Sequence, residues 1–426
     1  MANFPRMYRL KQHFANPVVE DVPATVQREL AALKLDEAVS PGRKIGITVG
    51  SRGIRNLLPI LEGCAEHLRR LGAEPYFIAA MGSHGGGREQ GQREVLESLG
   101  INEKNLGAPV VACDRCRVIA QTPGGLPVYC LESALEPDGI LVVNRVKTHT
   151  SFKAVVESGL VKMMVVGLGG PSGATQFHGF GWAELPRLLP EIGRTVLNTL
   201  PILGGLAIVE NAYEETALVR AVPREGMVER EAELLAYSKT LMPALPVGEI
   251  DFLIIGEMGK NFSGTGIDTN IIGRIRIQGV PEPETPFVKR IAVLDLSDAS
   301  HGNAHGIGLA DFTTRRLVDK MDRRVTYRNS LTSTFVVRSA IPMYFDTDEQ
   351  LVDAALASLS GIPVEKLRIV VIPNTLFLNE CLVSESIAEE LRKKPGPNLE
   401  PAPEEPAFDG DRNLVLPFYT PHQNYL

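Results

Sequence analysis

Short runs of apolar and β-branched residues alternate with longer amphipathic segments along most of this chain. An apolar run bounded by turn residues is typical of a buried strand, whereas apolar positions three or four residues apart indicate a helix. This pattern predicts strands at residues 44–49, 74–80, 139–146, 206–209, 251–256, 290–296 and 368–372, and helices at 56–70, 89–99 and 350–359. Strands that alternate with helices predict an α/β protein with mainly parallel sheets.

A segment rich in proline and glycine, Met-Pro-Ala-Leu-Pro-Val-Gly at residues 242–248, interrupts this alternation. Because proline and glycine end regular elements, we interpret this segment as a linker. A length of 426 residues also favours more than one domain. We therefore predict two α/β domains, residues 1–246 and 247–426, each with a mainly parallel sheet flanked by helices, and an active site in the interdomain cleft.

Composition narrows the class of protein. Hydrophobic residues make up 44% of the chain and charged residues 22%, which is typical of a globular protein. The net charge of −7 argues against nucleic-acid binding, which needs clustered lysine and arginine. Neither the apolar core of a secretory signal nor a run of about 18 apolar residues is present, so we expect no membrane partner. Five cysteines do not make a disulfide framework, which favours a reducing, cytoplasmic location.

Loops that carry glycine, histidine or a cation follow four of the predicted strands. They are Gly-Ser-Arg-Gly at 50–53, Gly-Ser-His-Gly-Gly-Gly at 82–87, Lys-Thr-His-Thr-Ser at 147–151 and Gly-Lys-Asn-Phe-Ser-Gly at 259–264. Ligands of open parallel sheets bind outside the carboxyl ends of the strands. The loops therefore predict a ligand site, in which Arg52 and Lys260 are candidates to contact an anionic group.

Two of these loops carry a histidine with the chemistry of an acid/base group. His84 stands between glycines that let a ligand approach closely, and His149 is flanked by lysine and hydroxyl side chains. Imidazole takes and returns protons near neutral pH. The structural alternatives are a turn histidine bonded to a carbonyl for His84 and a strand-end or capping histidine for His149.

Lys162 is the one cation in the apolar run between Gly159 and Gly167. Such a lysine extends its ammonium group to solvent, pairs with a carboxylate such as Glu157, or does chemistry. Desolvation lowers the pKa of a lysine and makes its neutral amine nucleophilic, which is how lysines form covalent adducts. All three interpretations stay open from the residues alone.

A glycine-rich run follows Lys162, namely Gly-Leu-Gly-Gly-Pro-Ser-Gly-Ala at residues 167–174. The backbone N–H groups of such a run can bind a phosphate, so Gly169, Gly170 and Ser172 are candidate cofactor contacts. The run departs from the Gly-x-Gly-x-x-Gly pattern of dinucleotide-binding proteins.

His178 lies shortly after this run, between two aromatic residues. A histidine in such surroundings is often simply packed. As a metal ligand it supplies one nitrogen, and because metal sites use three or four ligands, most of the others would come from an organic cofactor. Two further patterns favour structure: Cys113-Asp-Arg-Cys116 has no second pair, and the glycine in His301-Gly-Asn-Ala-His305 indicates a loop.

Together, His84, His149, Lys162 and His178 resemble the pattern of the nickel-dependent lactate racemase family, and the resemblance spans most of the chain in two blocks. It implies that His84 and His149 form the acid/base pair. It also implies that Lys162 carries a nickel-pincer nucleotide, a pyridinium thioamide/thiocarboxylate mononucleotide, and that His178 binds the nickel. Cofactor-synthesis proteins that supply the nucleotide are implied as partners. This chain has Gly-Leu-Val-Lys where the family usually has Gly-Gly-Arg-Lys, which leaves Lys153 as a second candidate for attachment.

The resemblance implies hydride chemistry on a small 2-hydroxy acid. One histidine removes the hydroxyl proton as the Cα hydride moves to the cofactor, and the planar 2-keto acid takes the hydride back on either face. Lys260, Asn270 and Arg274 resemble the residues that hold the substrate carboxylate. We therefore expect a racemase or epimerase. A nicotinamide-dependent oxidoreductase and a non-catalytic binder of an anionic metabolite are the alternatives.

Overall fold

The computed structural model describes residues 4–181, 183–394, 396, 398–416 and 418–419. The chain forms two compact units: an N-terminal unit, Ala15–Met242, and a C-terminal unit, Met1–Phe14 with Pro243–Leu426. The division falls inside the segment that we interpreted as a linker. Each unit is built on one main, mostly parallel sheet with helices, which confirms the predicted α/β fold class.

The strands and helices are numbered in chain order. The strands are β1 (Met7–Lys11), β2 (Lys44–Val49), β3 (Glu74–Ala79), β4 (Val110–Val111), β5 (Cys116–Gln121), β6 (Pro127–Leu131), β7 (Gly139–Arg145), β8 (Ile202–Glu210), β9 (Thr216–Pro223), β10 (Glu249–Met258), β11 (Phe287–Leu296), β12 (Phe312–Thr314), β13 (Met343–Phe345), β14 (Ile369–Ile372), β15 (Glu380–Ser384) and β16 (Asn398–Leu399). The α-helices are α1 (Val22–Ala32), α2 (Leu57–Arg70), α3 (Glu89–Ser98), α4 (Glu103–Leu106), α5 (Leu160–Lys162), α6 (Gly170–Gly179), α7 (Leu185–Thr199), α8 (Met227–Thr240), α9 (Thr269–Ile272), α10 (Arg315–Lys320), α11 (Arg323–Ser333), α12 (Asp348–Ala357) and α13 (Glu385–Leu391). A π-helical turn, Met163–Gly167, joins α5 to the segment before α6.

The main sheet of the N-terminal unit has the strand order β4-β3-β2-β7-β8-β9. All neighbouring strands in it run parallel except β9, which is antiparallel to β8. In the centre, Ile47 of β2 pairs with Phe77 of β3 and Leu141 of β7. The carboxyl ends of β2, β3 and β7 therefore meet at one edge of the sheet.

Both faces of this sheet are covered. Ile140 and Val142 of β7 belong to a hydrophobic cluster that includes Leu160 of α5. The alternate residues Leu141 and Val143 belong to a second cluster, which includes residues of α2. A parallel strand that is buried on both faces needs a continuous apolar sequence, and the run Gly-Ile-Leu-Val-Val at the start of β7 supplies it.

The sheet of the C-terminal unit has the strand order β13-β12-β11-β10-β14-β15-β1-β16. Its central strand β10 runs parallel to β11 and β14, whereas β15 and β1 run antiparallel to their neighbours. The sequence analysis grouped the first residues with the first domain. They belong to the C-terminal unit because β1 pairs with β15, with Leu10 opposite Cys381. Among the described residues, no helix is long and apolar enough to cross a membrane.

A close backbone contact holds the loop that follows β3. Gly82, Gly85, Gly86 and Gly87 all have positive φ angles, which glycine adopts without strain. Gly91, in the first turn of α3, lies so close to this loop that an added Cβ atom would overlap the carbonyl oxygen of Gly85. The loop and the helix therefore depend on glycine at both sides of the contact.

We expect Gly91→Ala to lower the free energy of unfolding by about 1–3 kcal/mol, because the added methyl group has no room. Gly179→Ala is the matched control, since a Cβ atom at this helical position meets nothing within 4 Å. The comparison uses urea-induced unfolding followed by circular dichroism. Equal midpoints for the two variants would contradict the close approach of Gly85 and Gly91.

Candidate active site

Four of the candidate residues come together in the N-terminal unit. Arg52 lies just after β2 and His84 just after β3, while Lys162 ends α5 and His178 lies in α6. Desolvation lowers the pKa of His84 most, and electrostatic interactions with Arg52, Lys162 and His178 lower it further. The four side chains therefore lie within electrostatic reach of one another, near the edge where β2 and β3 end.

The hydrogen bonds of His84 show which ring nitrogen carries the hydrogen. Its Nδ1 atom lies 3.1 Å from the carbonyl oxygen of Met81 and 2.8 Å from the Oγ atom of Ser51. Because a carbonyl oxygen only accepts, these contacts favour the tautomer with the hydrogen on Nδ1 and the lone pair on Nε2. Desolvation and the positive charge of Arg52 lower the pKa of His84 to about 3, although the ring still presents surface to solvent. The imidazole is thus neutral at pH 7.

Lys162 is half-buried and lies near the positive charge of Arg52. Desolvation and the charge of Arg52 lower its pKa to about 8, and the carboxylate of Glu157 partly opposes this shift. The π-helical turn follows Lys162 directly. Such turns are rare and frequently occur at functional sites.

A carboxyl group from α8 fixes the start of the helix that carries Lys162. Glu231 is fully buried, and its Oε2 atom accepts the backbone N–H of Val161 at 2.7 Å. At Gly159 a Cβ atom would overlap the Glu231 carboxyl group, so only glycine permits this approach. The Gly159 carbonyl in turn accepts the side-chain N–H of Asn144, which lies on β7. Desolvation raises the pKa of Glu231 to about 7.

His178 offers an imidazole nitrogen near Lys162. Desolvation and the charge of Lys162 lower its pKa to about 4, so the ring is neutral and able to bind a metal. No group of three or more histidine, cysteine, aspartate or glutamate side chains that could hold a metal ion occurs in the described part of the chain. Because metal sites use three or four ligands, a metal at His178 would need further ligands from another source.

His149 lies in a loop after β7 that is closed by pairing between Lys147 and Ser158. The backbone N–H of Ser151 donates to the Nδ1 atom of His149 at 3.1 Å, so the hydrogen of the neutral ring is on Nε2. The ring packs on Phe152 with 4.4 Å between the centroids. Phe152 meets Phe177 edge-on at 6.3 Å, and Phe177 precedes His178. A row of rings thus connects the His149 loop with α6.

Glu157 organises this loop from its buried position. Its Oε2 atom accepts the backbone N–H of His149 at 2.7 Å, and its Oε1 atom pairs with Lys239 of α8 at 3.0 Å. Lys153, the second candidate for cofactor attachment, lies 3.5 Å from Glu157 and donates to the carbonyl of His149 at 3.1 Å. Lys153 therefore has ion-pair and carbonyl contacts in the loop, whereas Lys162 lies beside Arg52 and His84.

The glycines proposed as a phosphate cradle pack against protein atoms. A Cβ atom on Gly169 would overlap the carbonyl oxygen of Val165, and one on Gly170 would lie 2.7 Å from the Sγ atom of Cys116. Ser172 is exposed on α6. Tight packing thus accounts for Gly169 and Gly170, and phosphate binding by this run stays a prediction.

The three candidate substrate residues lie in the C-terminal unit. The Nζ atom of Lys260 donates to the carbonyl of Gly264 at 2.7 Å, and Arg274 pairs with Asp311 at 2.8 Å. The side chain of Asn270 donates to Asp268 at 2.8 Å. These contacts stabilise local loops, and substrate binding by Lys260, Asn270 and Arg274 stays a prediction.

Two residues of the site were missed from the sequence. Ser51 belongs to a loop that we singled out, but only its contact with His84 shows its role. Glu231 is separated from Lys162 by 69 positions and lies in an ordinary amphipathic helix, so no local pattern marks it. In the sequence, Glu231 lies in the run Arg-Glu-Ala-Glu at residues 230–233, where nothing distinguishes it from an exposed charged residue of a helix.

No protein-family model matches this chain, and no curated protein matches it. A solved structure of a protein from Thermotoga maritima is similar over 77% of this chain and 84% of its own, with 13% sequence identity and a TM-score of 0.48. The lactate racemase apoprotein from Thermoanaerobacterium thermosaccharolyticum is similar over 85% of this chain and 84% of its own, with 12% identity and a TM-score of 0.48.

The lowered pKa of Lys162 is open to direct measurement. We expect acylation of Lys162, followed by mass spectrometry across pH, to show a midpoint near its pKa of about 8, against about 10.4 for an ordinary lysine. Arg52→Gln removes a positive charge and should raise this midpoint. Glu157→Gln removes a negative charge and should lower it. A midpoint above about 10 in the unchanged protein would show that Lys162 is an ordinary surface lysine.

Glu231 should make the stability of the fold depend on pH. Its pKa rises from 4.5 to about 7 on folding, so the folded chain holds a proton that the unfolded chain releases. The resulting stabilisation is complete below pH 4.5 and is lost as the pH rises through 7, with a slope of at most about 1.4 kcal/mol per pH unit.

Glu231→Gln should remove this slope between pH 5 and 7 in urea-unfolding measurements. Glu229→Gln is the control, because Glu229 lies on the same helix but is exposed and paired with Arg194. An unchanged slope in Glu231→Gln, or loss of the slope in Glu229→Gln, would contradict this assignment.

Proposed function

We propose that this protein is a racemase or epimerase of a small 2-hydroxy acid that works by hydride transfer to a nickel-pincer nucleotide. The observation that carries the proposal is the meeting of His84, a neutral imidazole with a lone pair on Nε2, with Arg52, Lys162 and His178. Strongly perturbed groups gathered at the carboxyl ends of parallel strands are typical of active sites.

The charge of the site suits an anionic ligand. Desolvation lowers the pKa of Arg52, and the positive charge of nearby Arg145 lowers it further. Arg52 in turn lowers the pKa of Lys162. A carboxylate or phosphate bound among these groups compensates the repulsion between them, so the site favours a 2-hydroxy acid or a nucleotide over a neutral ligand.

Lys162 and His178 fit the nucleotide that the proposal requires. With a pKa of about 8, Lys162 is a neutral amine in roughly one molecule in ten at pH 7, which suits a nucleophile that forms a thioamide. His178 supplies one nitrogen, which suits a metal whose other ligands belong to the nucleotide. When bound, the nucleotide supplies the acceptor for the Cα hydride. Proteins that synthesise it are partners in this proposal.

The residues of the chain would handle the proton and the substrate charge. The Nε2 atom of His84 accepts the hydroxyl proton as the Cα hydride leaves, which converts the 2-hydroxy acid to a 2-keto acid. Arg52 holds an anionic group. The Nε2–H group of His84 would then return the proton to the keto oxygen. Inversion requires proton transfer on the other side as well, which is the role we propose for His149.

No observation favours the two alternatives. The run of residues 167–173 lies in the π-helical turn and the start of α6, not in a turn directly after a strand as in nicotinamide-binding folds. A binder of an anionic metabolite needs cations but has no use for a base with a free lone pair next to a lysine of lowered pKa.

The decisive assay uses single-enantiomer 2-hydroxy acids deuterated at C2 and protein made together with the cofactor-synthesis proteins. We expect the opposite enantiomer or epimer to form in ordinary water with the deuterium retained, because a hydride does not exchange with solvent. Chiral chromatography with mass spectrometry measures both. His84→Gln should lower kcat by about 10²–10⁴-fold, and Lys162→Ala and His178→Ala should lose bound nickel.

His67→Gln is the matched control, since His67 lies on α2 in the same unit and bonds to Gln27. It should keep full activity. Loss of the deuterium to solvent would contradict hydride transfer and would indicate instead that a base removes a proton from Cα. Full nickel content and full activity in both Lys162→Ala and His178→Ala would show that the cofactor proposal is wrong.

A further inference from the structure

We propose that the two histidines of the candidate site are asymmetric: the Met81 carbonyl and Ser51 hold His84 with its hydrogen on Nδ1, whereas Ser151 holds His149 with its hydrogen on Nε2. His84 is then the base of the resting protein and His149 the hydrogen-bond donor. Ser51 is a positioning residue that acts through His84. The catalytic meaning of this asymmetry rests on the proposed function, but the hydrogen positions themselves do not.

The turn after β3 determines which nitrogen of His84 carries the hydrogen. The backbone N–H of His84 donates to the Met81 carbonyl at 3.1 Å, and the ring Nδ1 atom lies 3.1 Å from that same oxygen. If Nδ1 carried a lone pair, two acceptors would face each other at hydrogen-bonding distance, which is repulsive. The backbone turn thus selects the Nδ1–H form, and Nε2 is the basic nitrogen.

Ser51 reinforces this choice from the neighbouring strand. Val49 of β2 pairs with Ala79 of β3, which brings the residues after the two strands side by side. The Oγ atom of Ser51 lies 2.8 Å from Nδ1 of His84 and serves as a second acceptor. With both acceptors on the same nitrogen, the ring is fixed in orientation as well as in tautomer.

In His149 the Nδ1 atom accepts a hydrogen bond, whereas in His84 it donates. The backbone N–H of Ser151 can only donate, so Nδ1 of His149 must be the acceptor. The loop around this bond is held by the 2.7 Å hydrogen bond from the His149 N–H to buried Glu157 and by ring packing on Phe152. A hydrogen on Nδ1 would point at the Ser151 N–H and break this bond.

Unequal turnover of the two enantiomers follows from this asymmetry. A racemase interconverts species of equal free energy, so kcat/KM must be the same in both directions, but kcat and KM separately need not be. The enantiomer whose hydroxyl group reaches His84 reacts from the resting state. The other enantiomer requires His149 to act as the base, for which it must give up its bond to Ser151. We therefore expect a higher kcat and a higher KM for the first enantiomer.

The tautomers can be observed without substrate or cofactor. Full-length protein labelled with ¹⁵N-histidine gives two-bond ¹H–¹⁵N correlations that distinguish the two neutral forms, and His84→Gln and His149→Gln assign the signals. We expect His84 to show a protonated Nδ1 and an unprotonated Nε2, and His149 to show the reverse. The Nε2–H form at His84, or the Nδ1–H form at His149, would overturn the proposal.

Ser51→Ala tests the positioning role. We expect part of the His84 signal to shift towards the Nε2–H form, and kcat of the loaded enzyme to fall about tenfold with KM unchanged, as for the loss of one hydrogen bond. Ser83→Ala is the control: Ser83 precedes His84 in the same loop, and no bond from its hydroxyl to the ring is seen among the described residues. An unchanged His84 spectrum in Ser51→Ala would overturn the role of Ser51.

Different results would contradict the proposed function and the asymmetry of the two histidines. Opposite tautomers in a protein that does not racemise any 2-hydroxy acid would leave the asymmetry in place and remove its catalytic meaning. Racemisation by a protein in which His84 and His149 show the same tautomer would support the proposed function and overturn the asymmetry.

Discussion

The parallel pairing of β2 between β3 and β7 is the constraint on which the rest of the candidate site depends. The register sets Val49 opposite Ala79 and Ile47 opposite Leu141, so the segments that leave these strands emerge at one edge. Residues that are far apart in the sequence, Ser51 and His84, come within hydrogen-bonding distance as a result. The same pairing demands strands that are apolar on both faces, which leaves polar chemistry only at the strand ends.

Helix α8 links the two halves of the site. Glu231 holds the backbone next to Lys162, and Lys239, two turns further along, pairs with Glu157, which holds the backbone of His149. One rigid helix therefore sets the positions of a candidate nucleophile and a candidate acid/base group. The Glu231 carboxyl group accepts the Val161 N–H and so caps the start of α5, which has no side-chain cap of its own.

The sequence predicted what is encoded locally. The strand at 44–49 coincides with β2, and the apolar run around Lys162 marked a lysine that the structure finds desolvated. Long-range contacts left no such mark. The pairing of β1 with β15 joins the two ends of the chain, and Glu231 reaches Val161 from another helix, so neither follows from periodicity. Gly169 and Gly170 do form a local pattern, but the pattern has two explanations, because tight packing and phosphate binding both require glycine.

Repulsion between positive charges in the candidate site determines how the site would respond to an anion. Arg52 and Lys162 disfavour each other's charge, and both disfavour a proton on His84. The N-terminal unit folds in spite of this repulsion because the hydrophobic clusters on both faces of its sheet stabilise it independently of the site. A bound anion relieves the repulsion, so ligand binding and folding of this region reinforce each other. A bound anion that relieves the repulsion would also make protonation of His84 easier, so the imidazole would become a better base. Desolvation and these positive charges together favour the unprotonated form of His84, and an anionic ligand would oppose the effect of the charges.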